Sequence, residues 1–416
     1  MQYPETVQFL YALGNETKTV KLGLEAIGIL LDELGNPHHS FRSIHVAGTN
    51  GKGSTCALMA AGLRNAGLRT GLYTSPHLIE PSERIQLNGM PVTREQFAAA
   101  FATVDEANEG LLRSGRLEYH TTYFETVTAM GFLLFAQAAL DMAVVEVGLG
   151  GRLDATNAIT PELSVITPID FDHEQYLGNR IESIASEKAG ILKPGIPAVF
   201  AAQRPEAQAV LDQRAAELAC KTVHTCQFEL TEIDLSARGS RFTIHRTNPI
   251  EILCPLAGAH QVQNAVAAAA ALELLQIQPD FSGTHWPGRL QLVHERPDIL
   301  LDGAHNPAGA RALAAHIQRF YADRKIRLIY GAMRDKSVDE ITEILFPLAT
   351  EVIVTAPSSP RAIDPYAVVA ASDHPQIRAV GSVAQIYADS LQASPDTLVV
   401  ITGSLYLVGE ILTLIQ

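Results

Sequence analysis

Residues 45–55 read HVAGTNGKGST, and this stretch restricts the fold more than any other in the chain. Phe41, Ile44 and Val46 make a short apolar approach to it, and residues 56–63 continue as a small-residue helical run. A glycine-rich loop between a strand and a helix presents backbone N–H groups to phosphate oxygens at a helix N-terminus. Gly48, Gly51 and Gly53 permit the tight turns such a loop needs. Lys52 can reach between distal phosphates, while Ser54 and Thr55 offer hydroxyls near a magnesium ion. The expected nucleotide-contacting set is therefore Asn50, Gly51, Lys52, Gly53, Ser54 and Thr55. One feature departs from the common nucleotide loop: Gly53 separates Lys52 from Ser54.

The rest of the chain alternates in the manner of an α/β protein with a mostly parallel sheet. Strands are expected at 69–73, 142–147, 163–168 and 197–200, and helices at 17–34, 93–113, 122–139, 178–191 and 204–219. Thr93 with Gln96 has the spacing of a capping box. Residues 78–92 read as loop, 227–256 as hairpins, and 259–275 as an alanine-rich helix. Trp286-Pro287-Gly288-Arg289 interrupts the pattern, and a second alternating unit follows. Its strands are expected at 298–301, 326–330, 351–355 and 397–402, and its helices at 308–319 and 337–346. A chain of 416 residues exceeds the usual single-core range. The expectation is an N-terminal parallel-sheet ATPase domain, residues 1–293, and a smaller C-terminal Rossmann-like α/β domain, residues 294–416.

A net charge of −14 argues against nucleic acid as the main partner without excluding a phosphate ligand. Cys56, Cys220, Cys226 and Cys254 lack metal-site spacing, which suits a reduced, intracellular protein. The first residues, MQYPETVQFL, do not have the pattern of a signal peptide, and no apolar run is long enough to span a bilayer. The expectation is a cytoplasmic monomer without membrane or nucleic-acid partners.

Open α/β sheets bind ligands beyond the carboxyl ends of their strands. The polar clusters sit there: Lys52 with Ser54, Ser75, Glu146, residues 170–173, and residues 302–306. Five such clusters argue for one large site with the ligand between two domains. Glu146 ends an apolar strand, where a carboxylate is costly without a cation or donors, so it is read as a magnesium ligand. His173, in Asp-His-Glu after the next strand, becomes a candidate ligand beside it.

With these residues in place, the chain resembles folylpolyglutamate synthase of the Mur ligase superfamily. The resemblance runs over nearly the whole length, through YTSPHL at 73–78, ERIQLNG at 83–89, TYFE at 122–125, EVGLGGRLDATN at 146–157, DHEQYLG at 172–178 and SEKAGILKPGIP at 186–197. It continues through WPGR at 286–289, DGAHNP at 302–307 and GAMRDKS at 331–337. It implies an ATP-dependent ligase that makes an acyl phosphate and displaces it with the amine of glutamate. It implies two magnesium ions, one at Ser75 and Glu146 and one at His173, with a carbamylated Lys188 supporting the second. It implies ATP contacts at Asn264, Arg289, Asp302 and His305. A pteroate site would comprise Thr122, Tyr123, Phe124, Glu125, Leu153, Asp154 and Ala155, with Asp154 accepting from pterin N–H groups and Phe124 against the ring.

The resemblance implies both addition of the first glutamate to dihydropteroate and extension of reduced folates. The alternatives are extension alone, another Mur-type amino-acid ligase, and a non-enzymatic nucleotide-binding switch. The paired Glu146 and His173 and the second domain argue against the switch.

Overall fold

Four of the five apolar segments that end in polar clusters become strands of one sheet, and the fifth, before residues 302–306, lies in another. The structure, a computed structural model, describes residues 2–14, 23–246, 248–334 and 337–416. Two compact units emerge: Met1–Glu229 with Gln263–Ser282, and Leu230–Val262 with Gly283–Gln416.

The first unit holds β1 (Arg42–Ala47), β2 (Thr70–Tyr73), β3 (Ile85–Leu87), β4 (Met90–Pro91), β5 (Met142–Glu146), β6 (Leu163–Ile166), β7 (Ala198–Phe200) and β8 (Thr222–His224). Their order is β4-β3-β2-β5-β1-β6-β7-β8. All pairs from β2 to β8 are parallel, and β3 and β4 add an antiparallel edge. That edge is formed by part of the segment 78–92 that reads as loop, because its strands are too short to show a period. The central strands are buried along nearly their whole length, as expected when both faces of a parallel sheet are covered. One face carries the core built from Phe97, Phe101, Val127, Phe132 and Phe135. The same face continues over β6 and β7, where Ile166 and Phe200 pack with Ile184 and Leu211. Each fully buried side chain of this size contributes roughly 1.5–3 kcal/mol.

The helix after β1, Lys52–Asn65, is buried from Ser54 to Leu63. Its partner is the alanine-rich helix Ala259–Leu274, which approaches so closely that a Cβ on Gly62 would lie 2.4 Å from Leu272 Cδ1. Thr93 caps the helix Arg94–Arg113, and Gln96 completes the box. The expected helix at 17–34 is shorter, Glu25–Glu33, and its first part, 17–22, lies outside the described residues. An additional helix, Tyr3–Ala12, precedes it. The helix expected at 178–191 is Ile181–Ala189, with a separate turn, Glu174–Leu177, before it.

The second unit contains β9 (Glu229–Ser236, whose first residue groups with the first unit), β10 (Gly239–His245) and β11 (Ile250–Cys254), a separate sheet ordered β11-β10-β9. It also contains β12 (Gln291–His294), β13 (Asp298–Leu301), β14 (Lys325–Tyr330), β15 (Glu351–Val354), β16 (Ile377–Ala379) and β17 (Thr397–Thr402). These run in the order β12-β13-β17-β14-β15-β16, parallel except for β12. The hairpin strands 230–254 therefore group with the C-terminal sheet, and the unit limit falls at 282/283, whereas the sequence suggests one cut near 293. The reason is physical: sequence order cannot show that a segment far upstream of a linker belongs to the body downstream of it. Among the described residues, no helix is long and apolar enough to cross a membrane.

Candidate active site

The phosphate loop is built at the end of β1 and braced by its parallel neighbour. Thr49 and Asn50 donate their N–H groups to the Pro168 carbonyl at 2.9 and 3.1 Å. The Thr49 hydroxyl donates to the Asp170 carbonyl at 2.9 Å and accepts from the Asp170 N–H at 3.1 Å. Gly51 opens the helix at φ 84°, and a Cβ there would lie 2.3 Å from Asn264 Oδ1. Only glycine meets both demands, the left-handed backbone and the close approach. Asn264, an expected ATP contact, is thereby placed beside the loop. Lys52 Nζ lies 3.4 Å from the Thr49 carbonyl, so its charge folds back over the loop. Ser54 and Thr55 are buried in the first helical turn, and Thr55 Oγ1 has no hydrogen-bond partner among the described residues.

β5 lies beside both β1 and β2, which brings Ser75 and Glu146 together. The Ser75 N–H donates to Glu146 Oε2 at 3.2 Å, and Glu146 is only 4% exposed. Burial, reinforced by the Glu146 charge and opposed by Lys52, raises the Cys56 thiol well above its usual range. His173 follows β6 at φ 52°, a left-handed backbone unusual for histidine, and its N–H donates to Asp172 Oδ1 at 2.9 Å.

Lys188 is buried on the helix Ile181–Ala189, and its Nζ donates to the Gly48 carbonyl at 2.7 Å. Burial lowers its pKa to about 7, helped by Lys52 and opposed by Asp172 and Asp154. The adjacent Glu187 bonds Arg152 at 2.8 Å.

In the second unit, Asp302 ends β13. Its Oδ2 accepts from the Leu290 N–H and its Oδ1 from the Ala304 N–H, each at 2.9 Å. Burial raises its pKa, and the Arg289 charge opposes that rise. Arg289 Nη1 lies 2.5 Å from where a Cβ on Gly303 would stand, and His305 Nδ1 donates to the Gly303 carbonyl at 2.7 Å. Arg289, Asp302 and His305 thus form one cluster. Asn306 caps the helix Pro307–Phe320.

Two family descriptions match the chain, the Mur ligase middle domain over residues 46–272 and the Mur ligase glutamate ligase domain over residues 288–405. The chain is 35% identical over 428 residues to folylpolyglutamate synthase of Lacticaseibacillus casei, covering 99% of this chain and 98% of the relative. It is 37% identical over 412 residues to dihydrofolate synthase/folylpolyglutamate synthase of Bacillus subtilis, covering 94% of each. A solved structure of Mycobacterium tuberculosis folylpolyglutamate synthase, complexed with ADP and AMPPCP, has a TM-score of 0.90 at 34% identity over 100% of this chain and 99% of that one. The chain belongs to the folylpolyglutamate synthase group of the Mur ligase family.

The pteroate residues expected in this Mur-type ligase divide by what their polar atoms already do. Thr122 and Glu125 close a capping box: the Glu125 N–H donates to Thr122 Oγ1 at 3.3 Å, and Glu125 Oε2 accepts from the Thr122 N–H and hydroxyl at 2.8 Å each. Tyr123 is buried, whereas Phe124 and Leu153 are partly exposed. Phe124 lies against Gly148, where a Cβ would stand 2.4 Å from Phe124 Cζ. Ala155 is buried. Asp154 is the residue expected to accept from pterin N–H groups. It is buried, with Oδ1 accepting from the Thr156 N–H and hydroxyl and Oδ2 from the Leu149 N–H at 2.8 Å. Its first task is to shape the loop 148–156. Burial still raises its pKa to about 6, against the pull of these donors.

Sequence reasoning missed His45 and Thr156. His45 Nε2 and Thr156 Oγ1 are 2.9 Å apart behind Asp154. It also gave no role to Arg84, although Arg84 lies in a motif that carries the family resemblance. No local signal marks the His45–Thr156 contact, because the two residues are 111 positions apart.

Proposed function

We propose that this ligase joins L-glutamate to dihydropteroate, and further glutamates to reduced folates, consuming ATP and releasing ADP and phosphate. The observation that carries the reading is the convergence on one phosphate loop of Lys52, the Ser75–Glu146 pair and the buried Lys188, whose Nζ is 2.7 Å from the Gly48 carbonyl.

The substrate carboxylate attacks the γ-phosphorus, the bond to the ADP oxygen breaks, and an acyl phosphate forms. The glutamate amine then adds to the acyl carbon, loses a proton and expels inorganic phosphate. Lys52 and the loop N–H groups hold the phosphates and stabilise the charge that develops on them. Asn50, Gly51, Gly53, Ser54, Thr55 and Asn264 complete the nucleotide contacts proposed in the first unit, and Arg289, Asp302 and His305 those in the second. Thr122, Tyr123, Phe124, Glu125, Leu153, Asp154 and Ala155 are proposed to form the pteroate site.

Magnesium suits the donors present. A buried carboxylate bonded to the Ser75 N–H, and an orphaned Thr55 hydroxyl in the helix after the phosphate loop, are oxygen ligands of the kind magnesium takes. Among the described residues, no three His, Cys, Asp or Glu side chains gather into a cage. Magnesium is commonly held this way, by one or two protein ligands with phosphate oxygens and water. Ser75 and Glu146 would hold one ion and His173 a second; bound there, magnesium neutralises phosphate charge. Lys188 is proposed to be carbamylated. Its buried amine adds to carbon dioxide and loses a proton, and the resulting carboxylate supports the second ion.

The test is ATP turnover with glutamate plus dihydropteroate, run beside glutamate plus tetrahydrofolate. Turnover in both is expected. Turnover with tetrahydrofolate alone leaves an extension enzyme, and turnover with neither overturns the reading. Mass spectrometry of the native protein in bicarbonate should show the carbamate mass, and Lys188→Ala should abolish it.

A further inference from the structure

We infer that Tyr11, His77 and Arg84 are positioning residues for the pteroate-binding turn, an inference that rests on the pteroate reading above. The observation is a closed ring of four side chains from four separate segments. Tyr11 stands on the helix Tyr3–Ala12, His77 follows β2, Arg84 ends the turn Pro81–Arg84, and Tyr123 opens the helix Tyr123–Gln137. Arg84 Nε donates to His77 Nδ1 at 2.9 Å, and His77 Nε2 lies 3.2 Å from the Tyr11 hydroxyl. The Tyr11 ring stacks on Tyr123, with centroids 5.8 Å apart and planes at 10°. Arg84 Cζ lies 5.2 Å from the centroid of the same Tyr123 ring, which closes the cycle.

The chemistry fixes the direction of each bond. A guanidinium only donates, so His77 Nδ1 must accept. Its hydrogen is then on Nε2 and is given to the Tyr11 oxygen. Arg84 is only 3% exposed, and a guanidinium is buried at a cost that its contacts with imidazole and ring partly offset.

The N-terminal helix does not need this ring in order to dock. Thr6 and Leu10 are fully buried, Phe9 lies 5.4 Å from Phe101, and Tyr3 lies 5.6 Å from Phe97. Tyr11 is on another face, 47% exposed, and reaches over Tyr123. Tyr123 sits between Thr122, which caps the helix, and Phe124, which rests on Gly148. Holding the Tyr123 ring from both Tyr11 and Arg84 sets the rotation of that first turn, and so where Phe124 is presented.

Equilibrium titration of dihydropteroate and of tetrahydrofolate into the full chain tests this, with ATP KM and thermal midpoint measured alongside. Tyr11→Ala is expected to weaken the folate substrate about tenfold, from the loss of one aromatic stack and one hydrogen bond. Tyr11→Phe keeps the stack and should recover most of that, to within about threefold of the parent. ATP KM should not move. Equal affinity in Tyr11→Ala and the parent overturns the inference alone, as does a parallel loss for ATP and folate, which marks a merely structural role. A parent chain that binds neither folate substrate overturns the pteroate reading together with this inference.

Discussion

Lys52 is the residue whose role is most legible in sequence, and it carries the sharpest single-site prediction. Lys52→Ala removes a preorganised donor from the transferring phosphate, and loss of one such group costs roughly 10²–10³ in turnover. Turnover at saturating ATP, with circular dichroism to verify folding, checks it; near-normal turnover would rule out the phosphate-loop role. Glu146 stands out because a carboxylate ends an apolar strand, whereas Lys188 lies in the polar run ESIASEKA and enters only through the family resemblance. Asp154 shows the limit. Its motif marks it as near a site, but only the fold shows its oxygens turned to Thr156 and Leu149. Thr156→Val strips a donor from that buried carboxylate and leaves the His45 ring nitrogen facing a methyl group. Leaving such groups unsatisfied costs about 1–3 kcal/mol. Urea unfolding should report a loss of that size, and KM for dihydropteroate should rise more than KM for ATP.

Elements were easier to read than their partners. The helix Arg94–Arg113 and the strands β13 and β17 carry caps or uninterrupted apolar runs, and the sequence places their limits within a residue. β3, β4, β8, β12 and β16 are two to four residues long, too short for a period-two pattern to emerge. What the sequence hides most is how closely elements approach. A Cβ on Gly151 would meet the Glu187 carbonyl at 2.6 Å and Lys188 Cα at 3.0 Å, both backbone atoms that cannot rotate away. The Arg152 N–H bonds that same carbonyl at 2.8 Å. Gly151→Ala must therefore push the loop after β5 off the helix that carries Lys188. Overpacking of this kind costs about 1–3 kcal/mol. A lower urea midpoint together with reduced turnover is expected; an unchanged midpoint would show that the loop yields freely.

At the scale of the molecule, acid is the condition that separates the native chain from its unfolded form. Burial holds His45 at about 3 and His260 and His316 at about 4. An unfolded histidine titrates near 6.5, so below that pH the unfolded chain binds protons that the native chain refuses. The stability these groups permit is complete above about 6.5 and is lost progressively as pH falls toward 4. Asp154 works in the opposite sense: raised to about 6, it takes up a proton in the native state before an unfolded carboxylate would, and so offsets part of the loss between about 6 and 4. His316 isolates the effect. It is 3% exposed on the helix Pro307–Phe320, tilted against the rings of Phe320 and Tyr321, and neither ring nitrogen has a hydrogen-bond partner among the described residues. Phenylalanine has nearly the same shape without the titration. His316→Phe should therefore stabilise the second unit modestly at pH 8 and by about a further 2 kcal/mol at pH 5, where the unfolded wild-type histidine is charged. Urea midpoints at the two pH values decide it. An equal gain at both would mean that His316 accepts its proton in the native state, and the acid sensitivity would then have to arise elsewhere.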